Sequence, residues 1–130
     1  NTAQFAYALQ EEPSLYLSGN EVMEGLYAQH IRDRAQFVEH LRQFSIEDAL
    51  LGQPMDTWSM GECKKFYLAA ALARPCRMLV LDEPTNHLDK EAVAYLQSVL
   101  AEYPGGLLVC SHEEAWPVKW DRIERMKRHE

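Results

Sequence analysis

Leu79-Val80-Leu81-Asp82-Glu83-Pro84-Thr85-Asn86-His87-Leu88-Asp89 decides how this chain is read. Met78–Leu81 is a continuous apolar run, the pattern of a strand buried on both faces. Asp82-Glu83-Pro84 ends it and leaves two carboxylates at the strand's carboxyl end. A helix is predicted over Asp89–Tyr103. Ala92, Val93, Leu96, Val99 and Leu100 form its apolar stripe, and Pro104-Gly105-Gly106 breaks it. Leu107–Cys110 reads as a second buried strand. Strand, helix of crossover length and strand make a βαβ unit, so the sheet is expected to be parallel.

Upstream, Gly61–Arg74 is a helix rich in Ala and Leu, stopped by Pro75. Ser59, with Glu62 three residues on, has the spacing of a capping box. Gly19 to Leu51 forms an acidic helical block. Ser18 or Asn20 caps a helix carrying Val22, Met23, Leu26 and Tyr27 on one side. Asp33 caps a second, with Phe37, Val38, Leu41 and Phe44 at helical spacing. Ser45 is expected to cap a short third segment ending near Gly52. Gln4–Leu9 reads as a short strand leading to Gln10. Downstream, Ser111-His112-Glu113 follows the second buried strand, and Asp121–Met126 is predicted to be a last strand. No internal repeat is present.

The chain has 130 residues, which is one domain at most. Its formal charge of −7 argues against binding nucleic acid through bulk charge. Trp116–Glu130 is locally basic and reads as a solvated face. No apolar run approaches the ~18 residues a membrane span needs. Asn1–Gln10 has neither the basic start nor the apolar core of a signal peptide. The chain starts with Asn1 rather than Met and is expected to be cut from something larger. Cys63, Cys76 and Cys110 form no CxxC pair, which suggests free thiols in a reducing, cytoplasmic setting. His30, His40 and His129 show no metal spacing and are expected at the surface.

Ligands of open parallel sheets sit beyond the carboxyl ends of the strands. Two predicted strands end in ionisable residues there: Asp82-Glu83, and Ser111-His112-Glu113. That set suits phosphate chemistry. One carboxylate can hold Mg²⁺ through water, and a second can orient an attacking water. A histidine opposite can contact a terminal phosphate. Many exposed strand ends carry acids, so this pattern alone leaves a plain solvated edge equally open.

Three ordered stretches narrow the choice. Trp58-Ser59-Met60-Gly61-Glu62, then Leu79 to Asp89, then Val109-Cys110-Ser111-His112-Glu113 resemble the second half of an ATP-binding cassette (ABC) ATPase domain. Ala6 to Gln10 is similar to the strand that enters that family's Q-loop. The resemblance implies an α/β fold, a partial P-loop NTPase with a parallel sheet core and an inserted helical subdomain. It divides the chain into a strand and Q-loop over 1–12, a helical subdomain over 13–57, and a core over 58–130. It implies that Asp82 is the Walker B aspartate near Mg²⁺ and Glu83 the general base. Gln10 would be the Q-loop ligand of Mg²⁺ or water, and His112 the switch histidine at the γ-phosphate. Asn86 to Asp89 would be the D-loop, which touches a partner domain. Ser59, Gly61 and Glu62 would belong to the signature motif, which meets ATP held by the opposite cassette. Backbone N–H groups at a helix start favour such an anion. Asp82 to Asp89 is especially similar to the ABC-F subgroup, whose members carry two cassettes, lack a membrane domain and mostly act on the ribosome. The implied cofactors are ATP and Mg²⁺, and the implied location is cytoplasmic.

Departures qualify the resemblance. Trp58 replaces the usual Leu, Met60 replaces the first of two glycines, and Glu113 replaces the usual Asp. No GxxxxGK[ST] occurs in the chain. The sequence is therefore expected to be a fragment or a degenerate domain. Two rivals stay open: a non-catalytic dimerisation or regulatory module, and the C-terminal lobe of an SMC-like split ATPase. Gln10 argues against the second, because there the Q-loop lies on the other lobe.

Overall fold

The structure, a computed structural model, describes residues 5–7, 17–74 and 77–111. Gln10, Cys76, His112, His129 and the predicted strand Asp121–Met126 lie outside the described residues, as does Trp116–Glu130.

Three strands, β1 (Phe5–Tyr7), β2 (Met78–Asp82) and β3 (Gly106–Cys110), form a parallel sheet in the order β1-β2-β3. Between β1 and β2 come α1 (Gly19–Gln29), α2 (Arg34–Gln43), α3 (Asp48–Leu51), a 3₁₀ turn (Met55–Thr57) and α4 (Met60–Ala73). Helix α5 (Lys90–Ala101) crosses from β2 to β3. The βαβ unit is the predicted one, with strand ends shifted by a residue. Among the described residues no helix is long and apolar enough to cross a membrane.

Burial of the strands differs from the sequence expectation. Leu79 and Leu81 are fully buried, while Met78 is exposed. In β3, Leu107 and Val109 pack on the core, but Leu108 is 52% exposed and Cys110 is also exposed. The register explains this: Leu79 pairs with Leu107 and Leu81 with Val109 on the face turned to the helices. Successive side chains point to opposite faces, so Met78 and Leu108 fall on the other face. An apolar run shows that both faces tolerate apolar contact. It does not show that both are covered.

Helix starts follow local chemistry. Ser18 caps α1 with a capping box through Glu21, and Asp33 caps α2 by accepting from the Gln36 amide at 3.0 Å. Ser45 does not cap α3, whose N-cap is Glu47 with no side-chain hydrogen bond. Ser45 instead has φ 63° just after α2. Its amide donates to the Arg42 carbonyl at 2.9 Å, and the Ile46 amide donates to the Leu41 carbonyl at 2.9 Å, a Schellman stop. Phe44 and Ile46 are both buried, so the chain must reverse sharply between them.

The stripe of α2 is Phe37, His40, Leu41 and Phe44, with Val38 exposed. Spacing i, i+3, i+4, i+7 selects His40 over Val38. His40 is therefore buried rather than at the surface. One ring nitrogen, Nδ1, lies 2.6 Å from the Tyr95 hydroxyl, and Nε2 has no hydrogen-bond partner among the described residues. His30 is exposed as expected. Helix α2 packs on α4 around Phe66, whose ring meets Phe37 and Trp58 edge-on, with centroids 5.6 and 5.5 Å away. Trp58 is accommodated by Gly19: a β-carbon there would come within 2.8 Å of the indole.

Candidate functional site

The carboxyl end of β2 lies beside that of β3, with Asp82 paired to Cys110. Asp82 is exposed. Among the described residues no donor hydrogen-bonds its carboxylate, and the Lys64 ammonium acts on it through charge. At Glu83 the backbone turns out of the sheet with φ 47°. That region is sparsely populated for a non-glycine residue and costs on the order of 1–3 kcal/mol unless its surroundings hold it. They do so here. The Glu83 amide donates to the Cys110 carbonyl at 2.7 Å. The Glu83 carbonyl accepts from the Asn86 amide at 3.2 Å and from the Lys64 ammonium at 3.0 Å. Pro84 is fully buried and anchors the next step of the turn.

The start of α4 faces this turn. Ser59 Oγ accepts from the Glu62 amide at 3.0 Å, and a Glu62 carboxylate oxygen accepts from the Ser59 amide at 2.8 Å. This box satisfies two of the helix's orphan donors. The amides of Met60 and Gly61 have no intrahelical acceptor and remain available to an anion. Met60 is 63% exposed, so its side chain leans away from the protein. Gly61 is pressed against the His87 carbonyl: a β-carbon would stand 2.5 Å from that oxygen. His87 itself has φ 68°.

Two lysines complete the link between α4 and the turn. Lys64 is 6% exposed, and burial pushes its ammonium down from the usual lysine range against the Asp82 and Glu83 carboxylates, which pull it up. Lys65 Nζ lies 2.9 Å from Asp89 Oδ2. Asp89 caps α5 by accepting from the Ala92 amide at 2.8 Å. The Lys65 hydrogen bond, then that amide, hold the Asp89 carboxyl below its ordinary value.

The structure thus brings Ser59, Gly61, Glu62, Asp82, Glu83 and Asp89 around one loop, whereas Gln10 and His112 lie outside the described residues. Sequence reading missed Lys64. Its signal was a lysine four residues before Leu68 and eight before Leu72, on the buried side of an apolar helix. Among the described residues no cluster of three His, Cys, Asp or Glu side chains forms a metal cage. A single exposed carboxylate fits Mg²⁺ all the same, since that ion keeps several waters and needs few protein ligands.

A parallel sheet ending in acids beside a capped helix start makes this an α/β protein whose strand ends could take a phosphate. The ABC transporter family model matches residues 2–86, and the chain belongs to that family. It is 42% identical over 74 residues to the ATP-binding protein Uup of Caulobacter vibrioides, covering 57% of this chain and 12% of Uup. It is 42% identical over 91 residues to the ATP-binding protein YheS of Haemophilus influenzae, covering 70% of this chain and 14% of YheS. These relatives place it with the ABC-F type. The chain spans about one seventh of their length or less. Among solved structures, a cobalt transport ATP-binding protein (cbiO-2) matches with TM-score 0.70 and 25% identity, over 85% of this chain and 42% of that one. The ATP-binding cassette MJ0796, a dimer in a post-hydrolysis state bound to ADP and Pi, has the same fold. Its TM-score is 0.67 at 19% identity, over 85% of this chain and 53% of that one. The chain therefore has the ABC ATPase fold, in part.

Proposed function

We propose that this chain supplies the water-activating and signature elements of an ATP-hydrolysing ABC-F cassette that works paired with a second cassette. The observation that carries this reading is the Glu83 turn. A carboxylate follows an exposed Asp82 at the strand end, on a backbone held left-handed by three hydrogen bonds. Glu83 takes a proton from the attacking water. Asp82, with Gln10, would hold Mg²⁺ partly through water, and His112 would meet the γ-phosphate. When bound, Mg-ATP supplies the phosphoryl group and the cation that neutralises it. The Met60 and Gly61 amides, with Ser59 and Glu62 forming the cap, face the nucleotide of the opposite cassette. Asp89 and the residues before it lie against that cassette, a pairing suggested by the dimeric MJ0796 relative. ABC-F membership suggests the ribosome as the target and the cytoplasm as the setting.

The test is made on the full-length gene product that carries this chain. Asp82→Asn should raise the Mg²⁺ concentration needed for half-maximal ATP hydrolysis by about tenfold or more, in line with losing a charged contact. An unchanged Mg²⁺ requirement would remove Asp82 from the site.

A further inference from the structure

We propose that Lys64 is a positioning residue for Glu83: its ammonium, donating to the Glu83 main-chain carbonyl, fixes the left-handed turn that carries the base and couples it to the signature end of α4. The inference rests on the reading of Glu83 as the general base. A lysine is rarely buried to 6% exposure unless it is paired, and leaving its charge unmet would be costly. Here its head donates to a peptide oxygen at 3.0 Å, close to the Asp82 and Glu83 carboxylates. An apolar side chain of the same length would fill the space and take the ammonium donor away from that carbonyl. The turn at φ 47° would then lose its charged hold and keep the bonds to the Cys110 carbonyl and from the Asn86 amide. Lys64 also stands one turn beyond Gly61, which touches the His87 carbonyl at the far end of the same loop. A shift of the phosphate-facing helix start therefore moves Lys64 and, through it, the base.

The test is steady-state and single-turnover ATP hydrolysis by the full-length gene product. Lys64→Met, Lys64→Arg, Glu83→Gln and the Lys64→Met/Glu83→Gln double variant are compared. Misplacing a reacting group by about 1 Å costs on the order of 100-fold. Lys64→Met should therefore lower kcat by about 100-fold while KM for ATP stays within about threefold. Lys64→Arg, which keeps a charged donor, should recover at least about tenfold of that loss. In the double variant Lys64→Met should remove little of the residual Glu83→Gln rate, since both act through one carboxylate. If Lys64→Met fails to melt cooperatively, Lys64→Gln replaces it, because its shorter head falls short of the carbonyl. Normal turnover in Lys64→Met beside an inactive Glu83→Gln would overturn the inference alone. So would equal losses in the Met and Arg variants, or a further large loss in the double variant. Parent-rate turnover in Glu83→Gln would overturn the reading of the base, and the inference with it.

Discussion

Gly61 and the His87 carbonyl approach so closely that a β-carbon on Gly61 would lie 2.5 Å from the oxygen. The contact joins the first turn of α4 to the loop after β2. Gly61→Ala is therefore expected to destabilise the protein by about 1–3 kcal/mol, the cost of overpacking. Gly25 in α1 is the control, since nothing lies within 4 Å of its β-carbon position. Gly25→Ala should stabilise by about 0.5–1 kcal/mol. Urea unfolding of both checks the contrast, and equal effects would contradict the close approach.

The two faces of the sheet make a second contrast. Leu79 and Leu108 sit on neighbouring strands, but Leu79 is fully buried and Leu108 is 52% exposed. Leu79→Ala should cost about 2–5 kcal/mol and Leu108→Ala less than about 1 kcal/mol. A large loss at Leu108, read as a shift in denaturation midpoint, would mean that this face is covered in solution.

How much of this was legible in sequence depended on the range of the signal. Ser59 was read as a cap from Glu62 three residues on, Asp33 from its place before an apolar stripe and Ser18 as one of two candidates, and the structure forms all three, whereas Asp89, read as the first residue of its helix, is the cap outside it. Ser45 failed because its local pattern competes with the burial of Phe44 and Ile46 on either side, which demands a reversal there. The burial of β3 failed because coverage is a property of other elements, not of Leu107–Cys110. Asp82 and Glu83 were visible as strand-end acids. The hydrogen bonds to the Cys110 carbonyl and from the Lys64 ammonium that shape their turn were not, because they cross 27 and 19 residues of chain.

His40 makes stability depend on pH. Burial holds its imidazole below the ordinary histidine value near 6.5, and the Glu39 carboxylate only partly offsets this. As pH falls through about 6.5 the unfolded chain takes up a proton that the folded chain refuses. Stability present above that pH is therefore lost progressively on acidification, down to the folded-state value. His40→Gln keeps a hydrogen-bonding partner for Tyr95 but cannot titrate. Its melting temperature should fall less than the parent's between pH 7.5 and 5.5. Parallel curves would contradict a buried, neutral His40.

Phe66 is the hub of the aromatic cluster, touching Phe37, Trp58 and Tyr67 edge-on. Phe66→Ala should cost about 3–5 kcal/mol, enough to unfold a marginal domain. Phe66→Leu should retain a cooperative transition at a lower midpoint. Calorimetry on the two variants separates lost ring contacts from a lost core.

The central claim is that Glu83 activates the attacking water. Single-turnover hydrolysis and nucleotide retention, measured side by side on the full-length gene product with Glu83→Gln, test it most directly. Glutamine keeps the shape of the side chain but cannot accept the proton. Hydrolysis should slow by about 10²–10⁴-fold, with ATP still bound and retained longer than in the parent. Hydrolysis at the parent rate with unchanged retention would contradict it.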